Sequence, residues 1–357
     1  MMEDTQSQFS GTRPVASQHA FDVAKLTAFM RDHVPGFEGD LAVEQFKGGQ
    51  SNPTFLLTAG GKRYVMRRKP PGELLSSAHA VDREFRVIKA LAATEVPVAR
   101  AHALCEDLSV LGTAFYVMDC VDGRILWDPT LPGMSSPERA AHYDEMNRVI
   151  AALHRVDPAA IGLADYGRPG HYIERQVARW TSQYRASQTE HIEAVDALID
   201  WLPRYMPPSG ETRIAHGDYR LDNVIFHPAE PRIVAVLDWE LSTLGDPLAD
   251  FAYHCMRWHM PSPNGLAGAD LEALGIPGEA EYLRRYLDRI GSQREVSADE
   301  WTYYLVFNMF RLVGILQGVA ARALQGNASS VQAIETGRRT RPLAEQAWAL
   351  AQRIGKG

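Results

Sequence analysis

The sequence contains few cysteines, no long apolar run and no excess of positive charge, and each of these shortages excludes a class of protein. The three cysteines, Cys105, Cys120 and Cys255, are odd in number and widely spaced. They fit neither a disulfide framework nor a zinc site, so they favour a reducing, cytoplasmic environment. No apolar run approaches the roughly 18 residues of a membrane helix, and the polar N-terminus lacks the apolar core of a signal peptide.

The charge balance argues against two kinds of partner. The formal net charge at pH 7 is −7, whereas binding to nucleic acid or to an anionic membrane requires clustered Lys and Arg. A hydrophobic content of 45% and a charged content of 23% are ordinary for a globular protein. With 357 residues the chain is long for a single core, so we expect two lobes or domains.

The most informative stretch is residues 216–223, His-Gly-Asp-Tyr-Arg-Leu-Asp-Asn, which is followed by Asp238. Between them lie two apolar segments rich in β-formers, 223–226 and 232–237, around a proline-bounded turn, and this pattern predicts a β-hairpin. In an antiparallel pair the start of one strand lies beside the end of the other. Asn223 and Asp238 should therefore lie at the same end of the hairpin, and the preceding loop should bring Asp218 to the same place.

These residue types suit phosphoryl transfer from ATP. That reaction requires Mg2+ on the phosphates, a carboxylate that receives the proton of the acceptor hydroxyl, and a cation on the developing charge. Mg2+ prefers hard oxygen ligands, which Asn223 and Asp238 would supply. Asp218 would deprotonate the acceptor, and the forked guanidinium of Arg220 would reach the transferring phosphate. His216 would brace the loop by hydrogen bonding, because Asp218 already has the role of base.

The spacing His-x-Asp-x-x-x-x-Asn is that of the protein-kinase catalytic loop, with a metal-binding Asp downstream. Gly217 stands where protein kinases have Arg, and Asp-Trp-Glu at 238–240 replaces Asp-Phe-Gly. With these departures, and with Gly-Asp-Pro at 245–247, the chain from about Gln45 onward resembles the aminoglycoside phosphotransferase family in its broad sense.

Within that family the chain is most similar to the kinase-like domains that are fused to acyl-CoA dehydrogenases in some eukaryotic proteins. The closer likeness rests on short stretches: Gly-Gln-Ser-Asn-Pro at 49–53, Ser-Ala-His-Ala-Val at 77–81, Phe-Arg-Leu at 310–312, Gln-Gly-Val at 317–319 and Gly-Asn-Ala-Ser-Ser at 326–330. The likeness favours an acceptor with a hydroxyl, such as a hydroxyacyl-CoA or a hydroxy acid.

The family resemblance implies an α+β, bilobal, protein-kinase-like fold. The N-lobe would be a small antiparallel sheet with one main helix, and the C-lobe would be larger and mostly helical. We expect a disordered tail over 1–20, a nucleotide-binding N-lobe over 21–119, and a C-lobe over 120–357 with the catalytic loop and the acceptor site. ATP and Mg2+ are the implied cofactors; GTP in place of ATP and the oligomeric state stay open.

The same resemblance assigns nucleotide-binding roles to the N-lobe. A loop with Gly48, Gly49 and Ser51 lies where a kinase covers the phosphates with backbone amides. Arg67 falls where kinases place the Lys that holds the α- and β-phosphates. Lys69 shares the same strand face, because strand side chains alternate, and remains an alternative.

Two further expectations concern a helix and the hinge between the lobes. Glu84 borders the apolar stripe of a helix over about 76–93 and is the candidate to pair with Arg67, as the helix Glu pairs with the strand Lys in kinases. The hinge would bind adenine through the backbone of Asp119 and Val121, with the side chain of Met118 behind the base.

The acceptor pocket is expected in the C-lobe. Arg311 and Arg322 share one face of a helix over 298–323, because their spacing fits the helical repeat of about 3.6 residues. Buried arginines require partners, and either a bound anion, such as a CoA phosphate or a carboxylate, or an internal Asp or Glu would serve. His254 and Arg257 would line the same side, or would form a satisfied polar edge.

Three other functions are alternatives to a kinase that phosphorylates a hydroxylated small molecule. A true aminoglycoside kinase would need a cluster of carboxylates for its polycationic acceptor, whereas this candidate pocket offers arginines. The sequence lacks the compact H-x-x-x-H ligand pair of a metal hydrolase, which would have to draw on His216, Asp218, Asp238 and His254. A nucleotide-binding pseudokinase is disfavoured because Asp218, Asn223 and Asp238 are all present.

Overall fold

The computed structural model describes residues 11–47, 52–70, 80–324 and 336–354 of the chain. These residues belong to two compact units. The first contains the described residues up to Tyr166, with Arg220–Ser242 and Asp270–Pro277, and the second contains Gly167–Tyr219, Thr243–Ala269 and the described residues from Gly278 onward. The units group residues differently from the predicted lobes, because residues on both sides of the expected boundary at 119 and 120 lie in the first unit.

Ten β-strands occur in the part of the chain that the structure describes. They are β1 (Thr12–Arg13), β2 (Ala42–Phe46), β3 (Thr54–Ala59), β4 (Lys62–Arg68), β5 (Ala101–Cys105), β6 (Phe115–Asp119), β7 (Arg213–Ala215), β8 (Val224–Phe226), β9 (Ile233–Val236) and β10 (Thr243–Gly245). β1 to β6 form one sheet in the order β1-β2-β3-β4-β6-β5, and two smaller sheets pair β7 with β10 and β8 with β9.

Eleven α-helices lie wholly within the same described ranges, and residues 336–338 are also helical. They are α1 (Val23–His33), α2 (Val81–Leu91), α3 (Leu108–Leu111), α4 (Ser136–Arg155), α5 (Tyr172–Ser187), α6 (Glu193–Trp201), α7 (Pro247–Cys255), α8 (Leu271–Leu274), α9 (Glu279–Ile290), α10 (Ala298–Leu324) and α11 (Thr340–Ala351). Short 3-10 turns at Leu221–Asn223 and Trp239–Leu241 flank the β8–β9 hairpin. The predicted α+β, protein-kinase-like fold, with an antiparallel sheet and a larger helical part, is confirmed.

The six-stranded sheet of the first unit is antiparallel and carries a helix with a buried face. Apolar side chains of α1, Leu26 and Met30 among them, are buried in one cluster with Phe55 of β3 and Phe115 of β6. α2 packs against β5 and β6, and against the 3-10 turn after Asp238. The sheet therefore positions α2 beside the segment that carries a predicted magnesium ligand.

The segment before α1 differs from the prediction of a disordered tail over 1–20. Thr12 and Arg13 pair with Phe46 and Gln45 of β2, and the amide of Ala16 donates to the side chain of Gln45 at 3.2 Å. An edge strand presents unpaired N–H and C=O groups, and these two residues extend the sheet there. The prediction for residues 1–10 lies outside the described part of the chain.

α10 is the central helix of the second unit. It packs against α5, α7 and α11. An 18-residue window of α10 has a mean hydropathy of 1.4, which is enough for a membrane span by length and composition, contrary to the expectation that no apolar stretch approaches that length. However, 72% of that window is buried inside the protein, as in the core helix of a globular domain.

The β8–β9 hairpin is extended by the chain at Gly123 and Arg124. Arg124 and Phe226 exchange two backbone hydrogen bonds, 2.8 and 2.9 Å long. A Cβ atom added at Gly123 would lie 2.2 Å from the carbonyl oxygen of Phe226 and 2.3 Å from Cγ2 of Ile225. Only glycine allows this close approach of two backbones.

We predict that Gly123→Ala lowers the free energy of unfolding by about 1–3 kcal/mol, because the methyl group must push the hairpin away. Gly318→Ala is the matched control: the nearest atom to its added Cβ is the flexible guanidinium of Arg322 at 3.6 Å, and alanine favours a helix interior. The control should be neutral or slightly stabilising in urea denaturation. Equal stability of the two variants would contradict the close packing at Gly123.

Candidate active site

Asn223 and Asp238 lie at the same end of the β8–β9 hairpin. Val224 pairs with Val236 in register, and the amide of Leu237 donates to the carbonyl oxygen of Asn223 at 2.8 Å. Asp238 follows directly and adopts the left-handed backbone region with φ of 60°, which is uncommon outside glycine and is enriched at functional sites. The hairpin geometry predicted from the sequence is therefore present in the first unit.

The donor set at this hairpin end fits a magnesium ion that is shared with phosphates. Mg2+ is usually held by one or two carboxylates together with waters and substrate phosphates, not by an all-protein cage. Asp238 offers a carboxylate that is 40% exposed, and Asn223 offers an amide oxygen. Across the described residues no group of three or more His, Cys, Asp or Glu side chains is placed to hold a metal. The role of Asn223 and Asp238 as magnesium ligands stays a prediction.

Arg67 of β4 is held between two carboxylates of the first unit. Its Nε lies 2.9 Å from Oε2 of Glu84, and its Nη2 lies 3.2 Å from Oδ1 of Asp238. The Glu84 side chain is 1% exposed and that of Arg67 is 12% exposed. The Arg67–Glu84 pair expected from the sequence is present, and it extends to the carboxylate proposed for magnesium.

Sequence reasoning missed two partners of Glu84. The hydroxyl of Tyr116 donates to Oε2 at 3.0 Å, and the side-chain amide of Asn52 donates to Oε1 at 2.9 Å. Burial raises the pKa of Glu84, and the guanidinium of Arg67 acts in the opposite direction. For Arg67, burial is the largest single influence and disfavours the charged form, but Glu84, Tyr116, Asp238 and Glu240 together outweigh it, so the pKa is raised. The Glu84 carboxylate thus faces three side chains with N–H or O–H donors, those of Arg67, Tyr116 and Asn52.

The environment of Lys69 differs from that of Arg67. Its ammonium lies 3.8 Å from Oδ1 of Asp82, and both side chains are partly exposed, at 32% and 45%. An exposed pair at this distance contributes little to stability. Arg67 is directed at Glu84 and Asp238, and the role of either cation in holding a phosphate stays a prediction.

The predicted hinge residues lie at the end of β6. Met118 is buried and pairs with Val65 of β4. The amide of Asp119 donates to the carbonyl oxygen of Arg100 at 2.9 Å, so any bond from Asp119 to adenine would use its carbonyl oxygen. Val121 follows β6 outside regular structure, and its role with that of Asp119 stays a prediction. Gly48, Gly49 and Ser51 lie outside the described residues.

The loop that carries Asp218 belongs to the second unit and is held by Asp250 of α7. The amides of His216 and Gly217 donate to the two oxygens of the Asp250 carboxylate at 2.7 and 2.8 Å. The amide of Asp218 donates to Nδ1 of the buried His216 ring at 3.2 Å, which is the bracing bond expected of this residue. Gly217 has φ of 83°, a conformation that glycine adopts without strain.

The position of Asp250 is set by the start of α7. Asp246 caps this helix by accepting hydrogen bonds from the amides of Leu248 and Ala249 at 2.8 and 3.2 Å. The hydroxyl of Tyr304 donates to the other carboxylate oxygen of Asp246 at 3.1 Å. Asp246 is thus a structural residue, and it fixes the turn from which Asp250 reaches the loop that carries Asp218.

Sequence reasoning missed one direct contact of the proposed catalytic base. The hydroxyl of Tyr253 donates to Oδ1 of Asp218 at 2.5 Å. Tyr253 lies three residues after Asp250 on α7, so the two side chains share a helix face. That spacing is the one signal in the sequence that could have suggested the contact.

Arg311 contacts the loop that carries Asp218. This arginine is buried, its Nη2 donates to the carbonyl oxygen of Gly217 at 2.6 Å, and its guanidinium lies 5.1 Å from the ring centroid of Tyr253. One partner of Arg311 is thus a backbone carbonyl of the loop that carries Asp218, and its contact with a bound anion stays a prediction. Arg311 braces the loop from the side of α10.

The other predicted acceptor residues are also in the second unit, and their environments differ. His254 is buried with Nε2 2.9 Å from the hydroxyl of Tyr282, and burial lowers the pKa of His254 to about 3. The ring is therefore neutral and offers no charge to an anionic acceptor. Arg257 donates to the carbonyl oxygen of Asn264 at 2.6 Å, and Arg322 is exposed on α10. Contact of either arginine with an acceptor stays a prediction.

Arg220 begins the next segment of the first unit. Its Nη2 lies 3.2 Å from Oδ2 of Asp222, and its side chain is 35% exposed. A guanidinium in this position can pair with a phosphate when one is bound. That role of Arg220 stays a prediction.

The comparisons with known proteins agree with this geometry. The sequence profile of the phosphotransferase enzyme family matches residues 42–286, well over half of the 357-residue chain. The chain belongs to the phosphotransferase enzyme family. The predicted likeness to aminoglycoside phosphotransferases and to the kinase-like domains of acyl-CoA dehydrogenase family members is confirmed.

Three proteins illustrate the relationship. Acyl-CoA dehydrogenase family member 10 of Mus musculus is 45% identical over 349 residues, which cover 96% of this phosphotransferase but 32% of the mouse protein. This chain thus spans about a third of that relative's length. A crystal structure from Ralstonia eutropha, provisionally named an aminoglycoside phosphotransferase, is 57% identical with a TM-score of 0.87 and covers 94% of this chain and 99% of its own.

The third is a thermostable mutant of aminoglycoside phosphotransferase APH(4)-Ia, solved with AMP-PNP and hygromycin B. It has a TM-score of 0.61 and covers 93% of this chain and 99% of its own, at 17% identity. At that identity the likeness establishes a shared fold only.

We predict that Glu84→Gln lowers the free energy of unfolding by about 3 kcal/mol, because it leaves the buried guanidinium of Arg67 without its nearer carboxylate. Asp82→Asn on the same helix is the control. Its exposed pair with Lys69 should contribute less than about 1 kcal/mol. Urea denaturation of both variants measures the difference, and similar losses for the two would contradict a stabilising buried pair.

Proposed function

We propose that this phosphotransferase moves the γ-phosphoryl group of ATP, with Mg2+, to a hydroxyl of a small acidic molecule, and that a hydroxyacyl-CoA or a hydroxy acid is the favoured acceptor. The observation that carries the proposal is the set of hydrogen bonds that holds Asp218 in place. Its carboxylate is hydrogen-bonded by Tyr253, and its backbone is held by His216 and by the neighbouring bonds to Asp250. A carboxylate supported in this way is suited to receive the proton of an alcohol.

Each side chain has a distinct task in this reaction. Asp218 accepts the proton of the acceptor hydroxyl and orients its oxygen. Arg67, kept in place by Glu84, contacts phosphate oxygens of the nucleotide, and Arg220 offers a second cation. Asn223 and Asp238 supply oxygens to Mg2+, which when bound neutralises charge on the phosphates.

Two findings support ATP as donor. The first is the Arg67–Glu84 pair, which matches the strand-to-helix ion pair that kinases require for activity. The second is that APH(4)-Ia, which shares the fold, was solved with the ATP analogue AMP-PNP.

The choice of acceptor rests on charge and on the relatives. The mouse relative is named for acyl-CoA dehydrogenase, which favours an acyl-CoA or an acid derived from one. The arginines among the candidate acceptor residues, Arg257, Arg311 and Arg322, suit an anionic compound better than a polycation. The Ralstonia eutropha neighbour, with its provisional name, supports an aminoglycoside acceptor as the second candidate.

A screen separates the two acceptor classes. The protein would be incubated with Mg2+ and ATP and with either hydroxyacyl-CoA esters, free hydroxy acids, or kanamycin-type aminoglycosides, and acceptor-dependent ADP release would be measured. We expect release with the anionic acceptors. Release with aminoglycosides alone would favour the second candidate, and no release with any hydroxylated compound would overturn the proposed reaction.

We predict different losses for the two aspartates. Asp218→Ala should reduce kcat by about 10²–10⁴-fold, the usual contribution of a general base, while the affinity for Mg-ATP stays within about twofold of the original. Asp238→Ala should instead weaken Mg-ATP binding by at least about tenfold, because it removes a proposed metal ligand. Calorimetric titration with Mg-AMP-PNP, beside steady-state kinetics, separates the effects. Wild-type turnover by Asp218→Ala would refute the assigned roles.

A further inference from the structure

Tyr253 makes a short hydrogen bond to the proposed catalytic carboxylate. The distance from its hydroxyl to Oδ1 of Asp218 is 2.5 Å, at the short end of the range for a hydroxyl that donates to an ionised oxygen. Such charge-assisted bonds are roughly twice as strong as bonds between neutral groups. The tyrosine is partly buried on α7, so water competes only in part for the bond.

The ring of Tyr253 is itself fixed by Arg311. The guanidinium lies 5.1 Å from the ring centroid, within the range of a cation–π interaction. The same guanidinium donates to the carbonyl oxygen of Gly217 at 2.6 Å. One buried cation therefore contacts both the ring that holds the Asp218 carboxylate and the peptide group that immediately precedes Asp218.

α7 holds three consecutive residues of the loop. Asp250 accepts the amides of His216 and Gly217, and Tyr253, three residues later, reaches the side chain of Asp218. The first two bonds fix the path of the backbone. They leave the rotation of the Asp218 side chain undetermined, and the bond from Tyr253 restricts that rotation.

We propose that Tyr253 is a positioning residue for phosphoryl transfer: its hydroxyl sets the orientation of the Asp218 carboxylate, and Arg311 keeps the tyrosine ring in place. The inference rests on the proposed function, because it assumes that Asp218 receives the acceptor proton. A misplacement of about 1 Å in a reacting group can cost about a hundredfold in rate, so a carboxylate that rotates freely should transfer protons less efficiently. Nucleotide binding does not depend on this orientation.

The test is Tyr253→Phe, which removes the hydroxyl and keeps the ring beneath Arg311. With the most active acceptor of the screen, we expect kcat to fall about 10- to 100-fold, while KM for ATP and the affinity for Mg-ADP change less than twofold. Tyr303→Phe is the matched control. Tyr303 is a buried tyrosine of the second unit whose hydroxyl donates to the carbonyl oxygen of Leu202 at 3.0 Å, and the kinetics of this variant should match those of the original protein.

Each outcome decides the question. A kcat of Tyr253→Phe equal to that of the control would overturn the inference. Loss of Mg-ADP binding together with turnover would also overturn the inference. The hydroxyl of Tyr253 would then be needed for the folded structure, and not only for the orientation of the Asp218 carboxylate. The Asp218→Ala variant, measured beside these, shows whether the proposed function itself fails: if Asp218→Ala is inactive but Tyr253→Phe is fully active, only the role of Tyr253 is refuted.

Discussion

The carboxylate of Asp250 accepts hydrogen bonds from two consecutive backbone amides, those of His216 and Gly217. A buried carboxylate must be compensated by donors, and these amides supply them while bending the chain at a glycine with positive φ. The loop that presents Asp218 therefore has its shape because Asp250 is placed at the start of a capped helix. Tyr253 and Arg311 add their contacts to a loop that is already formed.

The first unit also contains a buried carboxylate that is surrounded by hydrogen-bond donors. Glu84 is buried and is compensated by Arg67, Tyr116 and Asn52, so α2, β4, β6 and the segment at Asn52 meet at one carboxylate. Arg67 extends this network to Asp238. In both units a buried acid fixes a residue with a proposed role in catalysis, and the fold supplies the donors.

Local patterns explain what could be predicted from the sequence. The hairpin between Asn223 and Asp238 could be predicted from its β-forming segments and proline-bounded turn. The pairing of Arg67 with Glu84 was implied by the resemblance to kinases, together with the apolar stripe of one helix. The bond from Tyr253 to Asp218 and the bond from Arg311 to Gly217 join residues 35 and 94 positions apart, and only tertiary packing brings them together. The short strand β1 was not predicted because its two residues are too few to show the alternation that indicates a strand.

The most direct test of this account is the turnover of Asp250→Asn. The amide keeps the shape of the side chain but replaces one acceptor oxygen by an NH2 donor. This NH2 group would face a backbone N–H, so two buried donors would be left without an acceptor. We predict a kcat at least about a hundredfold lower, with circular dichroism and Mg-ADP binding unchanged, while the exposed Asp196→Asn remains fully active. Wild-type turnover of Asp250→Asn would contradict the claim that this carboxylate holds the catalytic loop.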